Sequence, residues 1–193
     1  LYRVANDMQL VSIDAPNKTG CDFSATSQII ISVRNTMNTM VFNLPVQYRI
    51  NGGAWVTEII PSIPANTTLQ YTFTTTADLS EFRSYKIEAK VDNAGDSFMD
   101  NNSGEVAVLN LPLITSFPYL QNFEANNGFW YTAGVNSSWV YGTPSAPLIN
   151  RAACGTRAWK TNLSGNYNDN ELAYLYSPCF DVSTMSNPTL SLS

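Results

Sequence analysis

Acidic side chains beside a stretch of aromatic residues are the groups of this chain that could carry chemistry. Asp169 and Glu171 lie two positions apart at the end of GTRAWKTNLSGNYNDNE, residues 155–171, and paired carboxylates perform acid–base catalysis in glycosidases. They follow a run of turn-forming residues, however, where carboxylates are expected to be solvated. The chain contains no histidine, which excludes Ser–His–Asp, Cys–His and HExxH catalysis within it. The sequence therefore predicts a chain without catalytic residues.

Aromatic residues crowd the second half of the chain, and they admit two interpretations. Trp139, Tyr141 and Trp159 could form a platform on which sugar rings stack, because exposed aromatic faces suit the C–H faces of pyranosides. The alternative is that Trp139 and Trp159, together with Trp130, fill a sandwich core, and this interpretation is favoured for the tryptophans. Tyr141 and Tyr167 lie beside Gly or Asn and are expected to be partly exposed. Trp139, Tyr141, Trp159 and Tyr167 are thus the candidate ligand-binding residues.

Three cysteines leave one unpaired if a disulfide forms. Cys154 precedes a predicted strand, AWKTNL, and Cys179 ends another, YLYSPC; if these strands are neighbours, the two cysteines come within bridging distance. The pattern favours a Cys154–Cys179 disulfide with Cys21 free and buried, and three reduced core thiols are the alternative. Without a CxxC motif or a histidine, a zinc site is not indicated.

Composition limits the partners of the chain. Charged residues make up 13%, hydrophobic residues 44% and aromatic residues 12%, whereas Asn, Ser and Thr are abundant, which suits an extracellular β-protein. The net charge is −5 and no run of Lys or Arg could neutralise phosphates, so no nucleic-acid partner is expected. No apolar stretch approaches the roughly 20 residues needed to cross a bilayer, so a membrane span is not expected either.

Alternation of apolar and polar residues predicts strands throughout the first half of the chain. Ile29, Ile31 and Val33, for example, would share one face of a strand that is half buried against a second sheet. INGGAW, residues 50–55, indicates a hairpin turn, because Asn and Gly tolerate positive φ. Short strands at this spacing predict an all-β fold, an immunoglobulin-like antiparallel β-sandwich over residues 1–112. The predicted strands are 8–14, 28–34, 45–50, 54–59, 68–74, 85–91 and 105–110.

A change of composition predicts a second domain. Residues 113–116 lie in a proline-bounded segment and form the expected linker. In residues 117–193, AWKTNL and LAYLYS alternate as strands do, and SGNYNDN between them is rich in turn formers. The segment 155–171 is therefore expected to contain two strand segments joined by a turn.

The first segment resembles the CARDB-type domains, which are immunoglobulin-like, adhesion-related domains of bacterial surface proteins. RNTMNT departs from the turn that is common in that family, which leaves the local turn type open but not the fold. The resemblance rests on DMQLVSIDAP, GCDFSATSQIIISVRNTM, LPVQYRINGGAWVTE, IPANTTLQYTFTTTADLS and YKIEAKVDNAGDSFMDNN.

The second segment is similar to the first half of a MAM-like jelly roll, as found in large secreted proteins of gliding Gram-negative bacteria. The resemblance implies a truncated jelly-roll β-sandwich over residues 117–193, and a complementary fragment that completes it as a partner. It rests on FPYLQNFEANNGFW, NSSWVYGTPSAPLIN, AACGTRAWKTNLSGNYNDNE and YLYSPCFDVS.

The second resemblance also implies a structural calcium. It places Glu124 at the ligand position of the first strand and the loop AACGTRAW where backbone carbonyls would face it. Calcium takes six to eight oxygens, so Glu124 would need further acidic ligands. The alternative is that Glu124 is a solvated or hydrogen-bonded strand residue. No cofactor is otherwise required.

Together these patterns predict a non-catalytic adhesion or spacer region that binds protein or polysaccharide, in a secreted or surface-anchored bacterial protein. One alternative from another class is an accessory region of a secreted peptidase or glycosidase whose catalytic domain lies outside this chain. A carbohydrate-binding module is a further alternative. The expected location is extracellular or on the outer cell surface.

Overall fold

The computed structural model of the protein describes residues 6–192, and its chain divides into two compact units, Leu1–Leu111 and Pro112–Ser193. Nearly all of the regular structure is β-strand, apart from a 3-10 turn at Met99–Asn101. The strands of the first unit are β1 Met8–Ala15, β2 Thr19–Cys21, β3 Ile30–Asn35, β4 Val41–Ile50, β5 Val56–Ile63, β6 Thr68–Thr72, β7 Ser84–Val91 and β8 Ser103–Leu111.

The first unit is an immunoglobulin-like β-sandwich, and the predicted all-β fold class is confirmed. One sheet has the strand order β1-β3-β6 and the other β2-β8-β7-β4-β5. All pairs are antiparallel except β2 with β8, which run parallel. β2 was not predicted, because three residues are too few to show a period of two.

Alternating side chains of the two sheets build the core of the first unit. Ile31 and Val33 on β3 are fully buried, as are Ile87 on β7 and Val46 on β4. The hairpin predicted at INGGAW connects β4 to β5, and Asn51 has the positive φ, +51°, that its turn requires. The pattern of buried residues thus follows the alternation in the sequence.

Two buried asparagines fasten loops to this core. The Nδ2 of Asn35, which is 0% exposed, donates to the carbonyls of Thr39, Ile63 and Pro64, and its Oδ1 accepts from the N–H of Met37. Asn110 on β8, which is 1% exposed, also makes hydrogen bonds to backbone groups of loops. Its Nδ2 donates to three successive carbonyls, and its Oδ1 accepts from one backbone N–H; these partners are Leu79, Ser80, Glu81 and Phe23.

A carboxylate ties the two sheets together at the edge formed by β5 and β6. Glu58 on β5 accepts hydrogen bonds from the hydroxyl of Tyr71 on β6 and from the hydroxyl of Thr74. It also accepts from the backbone N–H groups of Thr74 and Thr75. Burial would raise the pKa of Glu58, but these four donors outweigh burial and lower the pKa to about 2. Burial and the bond to Glu58 raise the pKa of Tyr71 to about 12.

Glu58 is therefore expected to make the first unit sensitive to acid. Because its folded-state pKa lies below the ordinary 4.5, its contribution to stability is complete above about pH 4.5 and is lost as the pH falls toward 2. Glu58→Gln should lower the free energy of unfolding by about 1–2 kcal/mol at pH 7 and by much less at pH 2. Urea titrations across this pH range measure both values. Glu81→Gln, at an exposed ion pair with Arg83, is the control and should change little; equal losses at both pH values in Glu58→Gln would contradict the assignment.

The second unit consists of short strands in three two-stranded sheets. β10 pairs with β13 and β11 with β12, both antiparallel, whereas β9 pairs with β14 in parallel. A jelly roll is not shown by the described residues, and β9 lies within the segment 113–116 that the sequence analysis treats as a linker. The strands are β9 Leu113–Ile114, β10 Tyr131–Val135, β11 Trp139–Gly142, β12 Ala158–Thr161, β13 Leu172–Tyr176 and β14 Cys179–Phe180.

Candidate functional site

One face of the β11–β12 ribbon gathers three of the four candidate ligand-binding residues. Trp139 and Tyr141 alternate along β11, and the register sets Tyr141 opposite Trp159 on β12. The ring centroids of Tyr141 and Trp159 are 5.8 Å apart, with an interplanar angle of 45°. All three side chains are half-buried, so they neither fill a closed core nor lie fully open.

Hydrogen bonds fix the polar ends of two of these rings. The Nε1 of Trp159 donates to the carbonyl of Asn127 at 3.2 Å, and the hydroxyl of Tyr141 donates to the carbonyl of Phe123. The guanidinium of Arg157 lies 5.9 Å from the centroid of the Tyr141 ring. Rings held in this way lose little conformational entropy when a ligand stacks on them.

Tyr167 lies apart from this ribbon face. It is 68% exposed and lines a shallow cavity of about 350 Å³ with Leu148, Ile149 and Lys160. Lys160 follows Trp159 directly in β12, so its side chain starts on the opposite face of the ribbon. Its ammonium donates to the carbonyls of residues 161, 162 and 165. The structure therefore does not bring Tyr167 together with the other three candidates.

The carboxylate of Glu124 is held by the loop that the sequence analysis places opposite it. Its Oε1 accepts from the backbone N–H groups of Thr156 and Arg157, and its Oε2 accepts from the hydroxyl of Thr156, each at 2.8 Å. The N–H of Arg157 foremost, then the hydroxyl and the N–H of Thr156, lower the pKa of Glu124. Gly155 has φ +73°, and a Cβ there would lie 2.4 Å from Oε1 of Glu124, so only glycine allows the loop to come this close.

The groups that contact the Glu124 carboxylate are hydrogen-bond donors, whereas a calcium ion requires oxygen ligands around it. Both oxygens of Glu124 face N–H or O–H groups, and within residues 6–192 no three His, Cys, Asp or Glu side chains are grouped to hold a metal. As described, Glu124 and its loop therefore do not fit a calcium ion. The geometry is that of the alternative interpretation, a hydrogen-bonded carboxylate that anchors a loop.

Glu171 is likewise a loop anchor. It accepts hydrogen bonds from the hydroxyl and the N–H of Ser138 and from the N–H of Asn168. The Ser138 hydroxyl is the main cause of its lowered pKa. A carboxyl group with a lowered pKa is ionised at neutral pH and is a poor general acid, so Glu171 does not match the acid of a glycosidase pair.

The predicted Cys154–Cys179 disulfide is wrong. Cys154 is a free, exposed thiol, whereas Cys21 and Cys179 are both disulfide-bonded, so Cys21 is not free. The prediction assumed that the strands after Cys154 and before Cys179 are neighbours. They are β12 and β13, which pair with β11 and β10 respectively.

Peptide mapping without reduction is expected to reproduce this thiol pattern. The tryptic peptide 152–157, which contains Cys154, should be alkylated in the native protein. The peptides containing Cys21 and Cys179 should become alkylated only after reduction, because both cysteines are disulfide-bonded. A free thiol at Cys21 or a linked Cys154 would contradict the assignment.

A further group of tyrosines was missed. Tyr131 on β10 stacks on Tyr176 of β13, with centroids 5.1 Å apart and an interplanar angle of 16°, and Tyr174 lies 6.0 Å from Tyr176. Tyr174 and Tyr176 are 47% and 42% exposed. The alternation of aromatic residues in LAYLY could have indicated this face, but the sequence does not show which strand pairs with it.

Comparisons with known proteins give one curated relative and several solved structures, while no protein-family model matches the chain. Bacillopeptidase F of Bacillus subtilis (strain 168) is 31% identical over 132 residues, which are 67% of this chain and 9% of that protein. The chain thus spans less than a tenth of the length of this relative.

The solved structures include a domain described as belonging to a cell surface protein of Methanosarcina acetivorans, with 21% identity and a TM-score of 0.46. It covers 55% of this chain and 93% of that one. Two structures of a CARDB domain from Pyrococcus furiosus, one in complex with two metal ions, are 20% identical, with TM-scores of 0.44 and 0.43. They cover 56% and 57% of this chain, and 97% and 93% of theirs.

This chain resembles CARDB domains. At these identities the likeness concerns the fold alone, and the MAM-like resemblance of the second segment is not confirmed. Within the described residues, no helix is both long and apolar enough to cross a membrane.

Proposed function

We propose that this chain is a non-catalytic accessory region of a secreted or surface-anchored multidomain protein. Its role is to hold and present a binding surface to a protein or polysaccharide at the cell surface. The observation that supports this role most directly is that three strongly hydrogen-bonded carboxylates hold parts of the structure together. Glu58 joins two sheets, and Glu124 and Glu171 each anchor a loop, so all three carboxylates have structural roles.

An assay for hydrolysis tests the non-catalytic part of this proposal. The purified chain should leave peptide and glycoside substrates intact at neutral and mildly acidic pH. The decisive variants are Glu124→Gln and Glu171→Gln, measured beside the wild type. Hydrolysis that survives purification and is abolished by either substitution would overturn the proposal.

Polysaccharide binding on the ribbon face is a second, more specific candidate. The observation in its favour is that Trp139, Tyr141 and Trp159 share one face, with the polar ends of two rings held by the protein. Such rings offer apolar surface to the C–H faces of a sugar without losing much entropy on binding.

Co-sedimentation with insoluble cellulose and chitin tests this candidate. Trp159→Ala and Trp139→Ala should each weaken retention by tenfold or more, and Tyr167→Ala is the matched control because its exposed ring lies away from this face. Circular dichroism establishes that the variants remain folded. Loss of retention in Tyr167→Ala alone, or no retention of the wild type, would exclude the ribbon face as the binding site.

An accessory region of a secreted peptidase is favoured over that of a glycosidase by one comparison, the 31% identity to part of Bacillopeptidase F. The reading frame on both sides of this segment tests the idea. A peptidase catalytic domain in the same frame supports it, and a catalytic domain of another class contradicts it.

Calcium at Glu124 stays a proposal carried by the MAM-like resemblance alone, and it would require oxygen ligands beyond those described. Calorimetric titration of the wild type and of Glu124→Gln tests it. Binding that Glu124→Gln abolishes supports the site, whereas equal binding, or none, removes it.

A further inference from the structure

A long loop without regular structure connects β11 to β12 in the second unit. β11 ends at Gly142 and β12 begins at Ala158, so residues 143–157 join two strands that pair with each other. Connections between paired strands usually contain about two to five residues, and much longer loops commonly have a function of their own. The length of this loop therefore indicates a role beyond joining the two strands.

The two ends of this loop are fixed by hydrogen bonds, whereas its middle is not. Near the start, the N–H of Ser145 donates to the carbonyl of Leu163. Near the end, the N–H of Thr156 donates to Glu124. Between these anchors, no backbone group of residues 146–155 makes a hydrogen bond with another described residue. Such a segment can become extended in the cleft of an endopeptidase without breaking hydrogen bonds of the fold.

Consecutive side chains in the middle of the loop are open to solvent. Leu148 is 94% exposed and Ile149 is 59% exposed. Asn150 and Arg151 are exposed as well, and Ala152 is half-buried. Because the two apolar side chains are so little buried, they contribute little to the stability of the fold. They are available instead to fill apolar pockets of a partner.

Arg151 is the basic residue of this open segment, and its guanidinium has no carboxylate partner among the described residues. It belongs to none of their ion pairs, and residues 143–157 contain neither Asp nor Glu. An unpaired guanidinium can enter an acidic pocket. Trypsin-like endopeptidases have such a pocket, which selects the residue on the amino-terminal side of the bond that they cut.

The other basic residues of the described chain are held by strand pairing or by backbone hydrogen bonds. The carbonyls of Lys18 and Arg83 accept hydrogen bonds from N–H groups of β8. The N–H of Arg157 donates to Glu124. Within residues 6–192, Arg151 is therefore the basic residue that lies in a segment without backbone hydrogen bonds. The basic residues that lie within strands are Arg34, Arg49, Lys86, Lys90 and Lys160.

We propose that the peptide bond between Arg151 and Ala152 is a processing site for an endopeptidase of trypsin-like specificity. Water adds to the carbonyl carbon of Arg151, and the bond from this carbon to the nitrogen of Ala152 breaks. The products are a carboxylate on Arg151 and an ammonium group on Ala152. Leu148 and Ile149 fill apolar subsites on the amino-terminal side of the cut. This modification does not depend on which ligand the chain binds.

The cut produces a two-chain form of the second unit. β10 pairs with β13 and β11 pairs with β12, and in each pair one strand precedes Arg151 and the other follows it. Residues 1–151 and 152–193 therefore stay joined by strand pairing after the cut. The new chain ends lie in the loop that lines the shallow cavity at Tyr167, so processing alters that cavity.

Limited proteolysis of the full native chain with a low proportion of trypsin tests the proposal. Intact-mass measurements over time should show the fragments 1–151 and 152–193 before any other product. Arg151→Gln should lose this first cut and remain intact about tenfold longer. Arg83→Gln, at an exposed arginine whose carbonyl is hydrogen-bonded to β8, is the matched control and should be cut as the wild type is. A first cut at another bond, or unchanged cleavage of Arg151→Gln, overturns the proposal.

A second measurement distinguishes cleavage of the native loop from cleavage after unfolding. Urea at non-denaturing concentrations should leave the rate of the Arg151 cut unchanged, because no global unfolding precedes this cut. A short peptide substrate corrects for the effect of urea on trypsin itself. The two fragments should also elute together in size-exclusion chromatography. A rate that rises steeply with urea overturns the proposal, and separate elution of the fragments overturns the two-chain product.

Discussion

Asn35→Leu is expected to lower the free energy of unfolding of the first unit by about 3 kcal/mol. Leucine fills nearly the same space but removes an amide that makes four hydrogen bonds in a fully buried position. The N–H of Met37 and the carbonyls of Thr39, Ile63 and Pro64 would lose this partner, and each buried polar group left unsatisfied costs about 1–3 kcal/mol.

Denaturant unfolding measures the change, and hydrogen exchange on peptides of β3 and β5 assigns it to the first unit. Asn38→Leu, at an exposed position three residues further on, is the matched control and should alter stability by less than about 0.5 kcal/mol. A loss below about 1 kcal/mol in Asn35→Leu would show that the loop carbonyls find other partners.

Phe73→Ala is expected to cost about 3–5 kcal/mol, the range typical of large core aromatics. The ring is 1% exposed and packs edge-on against two tyrosines, with its centroid 4.8 Å from that of Tyr48 and 5.3 Å from that of Tyr71. Removing it leaves a cavity and also removes two edge-to-face contacts, each worth about 0.5–1.5 kcal/mol beyond area burial.

Equilibrium unfolding in urea measures the loss of stability in Phe73→Ala and in two comparison variants. Phe73→Leu keeps most of the volume and should lose roughly half as much stability. Phe42→Ala, at a ring that is 65% exposed, should lose less than about 1 kcal/mol. Similar losses for Phe42→Ala and Phe73→Ala would mean that Phe73 does not belong to the core.

The candidate site was only partly predictable. Alternation along NSSWVYG and AWKTN indicates that Trp139 and Tyr141 share a face of one strand, yet the register that adds Trp159 depends on strand pairing. Tyr167 looked equivalent to Tyr141 because both lie beside Gly or Asn in the sequence. Its separation from the ribbon face depends on the loop after β12, whose course is determined by tertiary hydrogen bonds.

Glu124 and Glu171 show the same limit. The sequence marks them as acidic residues near strands and loops, but the hydroxyl groups that donate to them, those of Thr156 and Ser138, lie 32 and 33 residues away. No local pattern records such a separation.

What the sequence determined by itself is the all-β class and the sandwich of the first unit. A period of two persists over many strands, and Asn51 marks its hairpin through a local backbone requirement. The tertiary structure alone decided the partners of β12 and β13, and that Cys154 rather than Cys21 is the free thiol. The physical reason is that strand pairing joins backbone groups that are alike in every strand, so the side-chain pattern predicts that a strand exists but leaves its neighbour open.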